Sequence, residues 1–368
     1  MNDHRPTYAR IAAWLLISLI VSSPASAAAQ ETIRQATAPE ALEAPKVQKL
    51  PIASLLSRAS QDCSTATALG KVLGTSRELQ VGSEASAGVG LKTYAQTLAL
   101  QDHEIVLTFD DGPLPATTRP ILDALSRECV KATFFLIGRN AAANPDLVKR
   151  EVREGHTVGS HSWSHPAATL RGLSESAART EVTKGMNAVD VAGWGEAGPD
   201  GKPHVPFFRF PGFADTAPLL QFLKAQGVAV FATDVWAEDW RPMSPQVQLR
   251  FLLGRLERAG RGIILLHDIH PQTAAMLPDF LKALKERGYK VVHLVPAAGT
   301  FPTNRISAGW TSETEPIVER VLSQYRPRSR PDAHVKRHLS CVGRWGCNGR
   351  VRGHGQAARS RGRLSRHL

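Results

Sequence analysis

Leu107-Thr108-Phe109-Asp110-Asp111-Gly112-Pro113 is the stretch of sequence that decides the fold. The apolar run that leads into it, residues 104–107, has the length of a buried strand, and Gly112-Pro113 ends that strand. Two carboxylates therefore lie at the C-terminal end of a strand, where adjacent side chains point in different directions. One of them can bind a metal while the other stays free to act as a base.

Short apolar runs alternate with longer amphipathic runs from about residue 101 to residue 296. Beyond the strand at 104–107, the runs that predict strands are 132–136, 156–160, 207–210, 228–232, 262–266 and 290–295. The runs that predict helices are 118–127, 145–154, 174–189, 217–226, 246–259 and 273–287. Because strands that alternate with helices pair in parallel, about seven such units predict an α/β fold, a (β/α) barrel more than an open sheet.

The first 27 residues have the composition of a secretory signal peptide. Arg5 and Arg10 precede an apolar run at 11–21, and Ala25-Ser26-Ala27 offers a cleavage site of small residues. An uncleaved N-terminal membrane anchor is the alternative, although the apolar run is shorter than the roughly 20 residues of a membrane span. We therefore expect a periplasmic or secreted protein with no membrane span after cleavage.

The regions on either side of the alternating pattern differ from it in composition. Residues 28–100 are rich in Ala, Ser, Thr and Gln and predict a mostly loose N-terminal segment that partly packs on the domain behind it. Residues 298–368 predict a C-terminal extension with one helix at 313–322 and a disordered, Arg-rich tail. The spacing of the cysteines matches no zinc ribbon and leaves their pairing open. They are Cys63, Cys129, Cys341 and Cys347.

The formal net charge of +12 is concentrated in the tail. Residues 326–368 carry twelve Lys or Arg and one acid, whereas the rest of the chain carries 33 basic and 32 acidic side chains. The body of the protein is therefore almost neutral, and a nucleic-acid-binding function would depend on the tail alone. We expect no nucleic-acid partner and assign the tail no catalytic role.

Functional side chains of a parallel barrel gather at the C-terminal ends of its strands. His161 and His165 follow the third predicted strand and are four residues apart, a spacing that places both imidazoles on one side of a helical turn. Together with Asp111 they make a three-ligand set that leaves one coordination position open for water, as in catalytic zinc sites. The sequence therefore predicts a divalent metal, with Zn²⁺ as the favoured ion.

Five motifs on these strand ends resemble, in order, those of the polysaccharide deacetylases, the NodB-homology or carbohydrate esterase family 4 enzymes. The motifs are Thr108-Phe109-Asp110-Asp111-Gly112, His161-Ser162-Trp163-Ser164-His165, Arg209-Phe210-Pro211, Asp239-Trp240 and Leu265-Leu266-His267. The resemblance covers about residues 101–296 and implies a catalytic domain over 101–297 with a distorted (β/α) barrel of about seven strands. It also implies a metal-dependent hydrolase that acts on carbon–nitrogen amide bonds other than peptide bonds.

The resemblance implies roles for the residues on the metal side of the site. Asp111, His161 and His165 would bind the metal. Asp110 would be the catalytic base that accepts a proton from the attacking water. Arg209 would pair with Asp110 and keep it ionised.

The resemblance implies a second group of roles around the substrate. Gly212 would supply a backbone N–H to the oxyanion. His267 would be the general acid that protonates the departing amine, and Asp239 would orient it and favour its charged form. Trp240 and Leu265 would line the pocket for the acetyl methyl group.

Two positions depart from the pattern of that family. Gly212 stands where a bulky, often aromatic, residue is usual, which predicts a less firmly held N–H and a wider cleft. Trp236 stands where an acid is common and would add a stacking surface for a sugar. Neither change removes a predicted catalytic group.

These observations predict an enzyme that removes N-acetyl groups from an extracytoplasmic amino-sugar polysaccharide or oligosaccharide, either chitin-like or peptidoglycan. One alternative is a polysaccharide esterase that removes O-acetyl groups from a xylan-type polymer. Another is a non-catalytic carbohydrate-binding homologue, which would be expected to have lost catalytic positions. The identity of the polymer and the oligomeric state are left open by the sequence.

Overall fold

The computed structural model of the chain describes residues 62–82, 88–306 and 309–325. All of them belong to one structural unit, Ala53–Leu368. The predicted signal peptide, the predicted Arg-rich tail, Cys341 and Cys347 lie outside the described residues.

Strands and helices alternate through most of the described chain. The strands are β1 (Thr75–Gly82), β2 (Gln96–Leu98), β3 (Glu104–Asp110), β4 (Thr133–Leu136), β5 (Thr157–Ser160), β6 (Phe207–Phe208), β7 (Ala229–Val230), β8 (Val235–Trp236), β9 (Gly262–His267), β10 (Lys290–Ala297) and β11 (Thr303–Arg305). The α-helices are α1 (residues 62–68), α2 (Pro115–Arg127), α3 (Gly138–Ala143), α4 (Pro145–Arg153), α5 (Glu175–Trp194), α6 (Ala217–Ala225), α7 (Pro245–Ala259), α8 (Pro271–Glu286) and α9 (Glu315–Tyr325).

The predicted (β/α) barrel of about seven parallel strands is confirmed. Strands β8-β9-β3-β4-β5-β6-β7 pair in parallel in that order and form a nearly closed barrel. Every residue of β3 is buried, which explains why apolar residues follow one another at 105–107 and do not alternate with polar ones. Apolar residues of β3 on the outer face pack against helices α2, α7 and α8.

The predicted strand at 290–295 is present as β10 but contributes to the barrel in an unexpected way. It pairs with β3 only at Lys290 and Val291, and then Leu294 accepts a hydrogen bond from Thr157 of β5. Val292 and Leu294 pack among the inward-facing side chains of the barrel. Strand β10 therefore helps to fill the barrel interior. The seventh strand of the barrel wall is instead the two-residue strand β8, which the sequence did not predict.

Residues 88–92 lie at the seam between β7 and β8, two strands that do not pair with each other. Val89 forms a parallel bridge with Phe231, and the backbone N–H of Lys92 donates to the carbonyl of Thr233. The N–H of Leu91 donates to the buried carboxylate of Asp234 at 2.7 Å. The chain ahead of β3 therefore closes the barrel at its open edge.

The segment predicted to be mostly loose also contains a long strand. Strand β1 pairs in parallel with β10 over most of its length, and Leu79 and Val81 are buried in the barrel interior. A disulfide between Cys63 and Cys129 joins the chain before β1 to the end of α2, with 5.5 Å between the Cα atoms. Two distant parts of the sequence are thus linked at this end of the barrel.

The C-terminal extension packs on the same N-terminal segment. Strand β11 pairs in antiparallel fashion with β2, and the indole N–H of Trp310 donates to the carbonyl of Leu91 at 2.8 Å. The helix predicted at 313–322 is present as α9. Within the described part of the chain, every helix is too short or too polar to cross a membrane.

Candidate metal and catalytic site

Asp110 lies at the C-terminal end of β3 and is almost completely buried. Its Oδ1 accepts a 2.7 Å hydrogen bond from Nη1 of Arg209, which is itself inaccessible to solvent. The guanidinium also donates to Thr108 and to the carbonyl of Ala232, and it lies 4.3 Å from the ring centroid of Phe135. Arg209 is therefore fixed from several sides, and its charge offsets that of the buried carboxylate.

Asp111 has a backbone φ of +79°, which is unusual for a residue other than glycine. Its N–H donates to the carbonyl of Phe135, and its own carbonyl accepts a 2.7 Å hydrogen bond from Nδ2 of Asn140. These contacts hold the carboxylate apart from that of Asp110. Its Oδ1 is buried and has no hydrogen-bond partner in the described structure, as expected for an oxygen that binds a metal ion or another ligand.

His161 and His165 face this orphaned oxygen. The Nε2 atoms of His161 and His165 lie 3.5 Å and 3.9 Å from Oδ1 of Asp111. The three ligand atoms all lie within 4.8 Å of one another, and among the described residues they form the one cluster of this kind. Two imidazole nitrogens and one carboxylate oxygen are a donor set that suits zinc and related divalent ions.

The protonation of His161 also fits a metal ligand. Its Nδ1 lies 2.8 Å from the carbonyl oxygen of Arg209, and because a carbonyl can only accept, Nδ1 carries the hydrogen. Nε2 then presents a lone pair toward Asp111. Burial lowers the pKa of His161 to about 4, against the opposing charges of Asp110 and Asp111, so the ring is neutral at neutral pH.

His267 lies at the end of β9 and is paired with Asp239. Its Nδ1 is 2.7 Å from Oδ1 of Asp239, and its backbone N–H donates to Oδ2 at 2.7 Å. Thr273 donates to the same Oδ2. Burial alone would lower the pKa of His267, but the charge and hydrogen bond of Asp239 outweigh it and raise the pKa to about 10. At a pKa of about 10, His267 is protonated at neutral pH, so its Nε2 carries a hydrogen.

The remaining predicted residues lie around this centre. Gly212 has a φ of +60° in the 3₁₀ turn Pro211–Phe213, which follows the loop after β6. Leu265 is buried on β9, and Trp240 is 40% exposed. The Trp240 ring makes edge-to-face contacts with His267 and Trp236, with 5.8 Å between ring centroids in each case. Trp236 is itself largely buried, which leaves little of its face for a sugar.

Several residues near the site were not predicted from the sequence. Asp268 accepts a hydrogen bond from Thr118, and burial raises its pKa to about 7. A β-carbon at Gly112 would clash with the Asp268 carboxylate, so this acid packs directly against the turn that follows Asp111. His270 lies 5.6 Å from His267 between ring centroids. The sequence offered one sign of the role of Asp268: it directly follows His267, at the end of a predicted strand.

Comparison with known proteins identifies the family of the chain. A family profile described as polysaccharide deacetylase matches residues 98–231. A chitooligosaccharide deacetylase of Bradyrhizobium is 32% identical over 207 residues, which are 52% of this chain and 89% of that protein. The chain belongs to the polysaccharide deacetylase family.

A second relative is a much longer protein. The peptidoglycan-N-acetylglucosamine deacetylase PgdA of Listeria monocytogenes is 38% identical over 196 residues, or 53% of this chain. The chain spans only 38% of the length of that relative. Among solved structures, a peptidoglycan deacetylase of Bdellovibrio bacteriovorus matches with 32% identity and a TM-score of 0.52, and the match covers 66% of this chain and 63% of that one.

Proposed function

We propose that this polysaccharide deacetylase removes N-acetyl groups from an extracytoplasmic amino-sugar polymer with the help of a bound Zn²⁺ ion. One observation carries the proposal. The unpartnered Oδ1 of Asp111 and the Nε2 atoms of two histidines converge beside a second carboxylate, Asp110, which does not belong to the same cluster. A ligand set next to a separate base is what hydrolysis of an acetamide by activated water requires.

Asp111, His161 and His165 would hold the ion. When bound, it would lower the pKa of a water molecule and polarise the acetamide carbonyl. The neutral state of His161 and its fixed tautomer support this assignment, because a neutral imidazole with a free Nε2 can bind without first losing a proton.

Asp110 would accept the proton of the attacking water. Its Oδ1 is occupied by the hydrogen bond from Arg209, so Oδ2 is the oxygen that remains for the proton. Oδ2 lies 3.8 Å from Nε2 of His161, on the ligand side of the site. The buried, hydrogen-bonded Arg209 supports this orientation of the carboxylate, in which only Oδ2 would accept the proton.

His267 would donate a proton to the departing amine. An amide nitrogen is a poor leaving group until it is protonated, and a histidine that is charged at neutral pH supplies that proton directly. Gly212 would donate its backbone N–H to the oxyanion, and Trp240 with Leu265 would surround the acetyl methyl group.

The substrate is assigned by class. Relatives named for peptidoglycan-N-acetylglucosamine and for chitooligosaccharide both act on N-acetylated amino sugars, which supports a polymer or oligomer of this kind. The predicted signal peptide supports a periplasmic or secreted location, where such polymers occur. The proposed function does not involve a nucleic-acid partner.

Acetate release from a panel of substrates tests the proposal. Zinc-loaded protein should release acetate from N-acetylglucosamine oligomers or from peptidoglycan, and the Asp110→Asn variant should release it far more slowly. Release from acetylated xylan alone would instead establish an O-acetyl esterase. A zinc-loaded preparation that releases no acetate from any of these glycans would contradict the proposal and favour a non-catalytic carbohydrate-binding protein.

A further inference from the structure

The turn that carries Gly212 has little intrinsic preference for its shape. Gly212 and Phe213 both have φ values of +60°, and a left-handed conformation is unfavourable for phenylalanine. The turn itself has three short-range backbone hydrogen bonds, from the N–H groups of Phe213, Ala214 and Asp215 to the carbonyls of Phe210, Pro211 and Phe213. Glycine at 212 has no side chain with which to anchor the backbone. Contacts from outside the turn must therefore hold it in place.

Asp215 connects the end of this turn to two other parts of the chain. Its backbone carbonyl accepts a 2.9 Å hydrogen bond from Nε of Arg171, and its Oδ1 lies 3.6 Å from Nη2 of the same guanidinium. Its Oδ2 accepts a 2.6 Å hydrogen bond from the hydroxyl of Tyr94. Burial, with the nearby charge of Asp215, raises the pKa of Tyr94 well above its usual value, so the hydroxyl remains a donor.

Arg171 is in turn held by the C-terminal helix. Its Nη1 lies 2.5 Å from Oε1 of Glu315, at the start of α9. Helix α9 covers the short 3₁₀ helix Leu170–Gly172, where Leu322 would lie 3.5 Å from a β-carbon at position 172. The residue before that helix, Thr169, would place its methyl group 3.3 Å from a β-carbon at Gly212. The ion pair of Glu315 with Arg171 and the hydrogen bond of Arg171 to Asp215 therefore connect α9 to the end of the turn.

The two outer members of this network come from segments on opposite sides of the region that matches the family profile. Tyr94 precedes residue 98 and Glu315 follows residue 231, the two limits of that match. Both segments also contact each other, because Lys92 forms an ion pair with Glu313 and its carbonyl accepts the N–H of Thr314. They form one unit that reaches the turn from outside the matched region.

We propose that Tyr94, Arg171 and Glu315 are positioning residues that hold the Gly212 turn in the orientation needed to bind the oxyanion. This inference rests on the proposed function, in which the N–H of Gly212 is an oxyanion donor. In addition to closing the barrel, the flanking segments then fix the orientation of the Gly212 N–H. Loss of the network loosens a donor that is used only in the transition state, so the effect falls on kcat more than on KM.

Three variants and one matched control test this role. Tyr94→Phe and Arg171→Gln should each lower kcat for acetate release about tenfold, less than the ~100-fold that complete loss of an oxyanion donor costs. Glu315→Gln should have a smaller effect, about twofold, because this carboxylate is half exposed. The control is Arg179→Gln, since Arg179 forms an exposed ion pair with Glu175 on α5 and should keep the wild-type kcat.

The metal content and KM of all four variants should equal those of the wild type. A fall in kcat that comes with loss of metal, or a change confined to KM, would overturn the positioning role, as would kcat values equal to the control. If the wild type releases no acetate at all, the proposed function fails, and amide hydrogen exchange of residues 210–215 then decides the inference. Exchange there should be faster in Arg171→Gln than in Arg179→Gln, and equal rates would overturn it.

Discussion

Nδ1 of His161 donates a 2.8 Å hydrogen bond to the backbone carbonyl of Arg209. The same arginine binds Asp110 through its guanidinium. One residue therefore fixes the tautomer of a metal ligand with its backbone and the orientation of the base with its side chain. Strand β6 places this residue between the two, because it pairs with β5 at Ser160, the residue before His161.

Replacement of Asp110 by asparagine should separate catalysis from metal binding. The amide cannot accept the proton from water, whereas Asp111, His161 and His165 remain in place. We expect kcat to fall about 10²–10⁴-fold with an unchanged metal content. Metal analysis and acetate release on the same preparation provide the measurement. Near-normal turnover by Asp110→Asn would show that another group is the base.

Replacement of His161 by alanine should abolish both properties. The change removes one of three ligands and leaves Oδ1 of Asp111 without one of its two imidazole neighbours. We expect loss of bound zinc in equilibrium dialysis and loss of acetate release. Alanine at His204, which stacks on Trp194 away from the cluster, is the matched control and should bind zinc normally. Full zinc binding by His161→Ala would remove this histidine from the ligand set.

The Asp239→Asn variant should change the pH dependence of the enzyme. Burial alone lowers the pKa of His267, and Asp239 is the main group that raises it to about 10. Without this carboxylate, the pKa of His267 should fall although Asp111 and Asp110 still raise it, and kcat/KM at pH 7 should fall about 10²–10⁴-fold. Thr273→Val, which removes only a hydrogen bond to Asp239, should have a smaller effect.

The raised pKa of His267 also sets how its contribution to the stability of the fold depends on pH. Because the folded-state pKa of His267 lies above its ordinary value of 6.5, its contribution to stability is complete below about pH 6.5 and is lost as the pH rises toward 10. NMR titration of the metal-free wild-type protein should give His267 a pKa near 10. A titration below 7 in the wild type would contradict this pairing.

Removal of the Cys63–Cys129 disulfide should destabilise the fold without altering the chemistry. The bond spans 66 residues, and closure of a loop of this length contributes about 4 kcal/mol to the free energy of unfolding in the chain-entropy model. The Cys63→Ser/Cys129→Ser variant should unfold at lower denaturant concentration and keep its kcat at 25 °C. Equal unfolding midpoints for the two proteins would show that this cross-link contributes nothing.

Two truncations should distinguish α9 from the basic tail. A chain that ends at Tyr325 lacks the Arg-rich residues but keeps Glu315, and it should retain the wild-type kcat. A chain that ends at Ala297 loses Trp310 and Glu315, which contact Leu91 and Arg171, and its kcat should fall about tenfold. Equal activity of both truncated proteins would leave α9 without a functional role.

The barrel was predictable from sequence because its strands are short apolar runs between helices with clear ends. Ser174, Ser244 and Thr216 cap their helices with side-chain hydrogen bonds, and Gly195 and Gly260 end two of them with left-handed backbones. Strand β1 was missed because four of its eight residues are exposed or charged and its partner β10 lies more than 200 residues away. Strand β8 has only two residues, too few for a periodic signal.

The ligand residues of the site were predictable from the sequence, but the contacts that support them were not. The order of the motifs placed Asp111, His161 and His165 on one face, and the structure brings these three side chains together. The contacts that support them were not predictable, because Asn140 and Asp268 reach the acidic turn through the fold and not through sequence spacing. The partner of Cys63 among the cysteines was likewise fixed only by three-dimensional proximity.

Similarity to the family profile ends at Phe231, but the polypeptide does not become dispensable there. Strands β8 and β9 come later, and the imidazole of His267 and the carboxylate of Asp239 come with them. Cys63, far upstream, is covalently attached to Cys129 inside the matched region. A protein excised at the limits of the family profile alone would lack two strands of the barrel wall, the Asp239–His267 pair and the cysteine that cross-links Cys129.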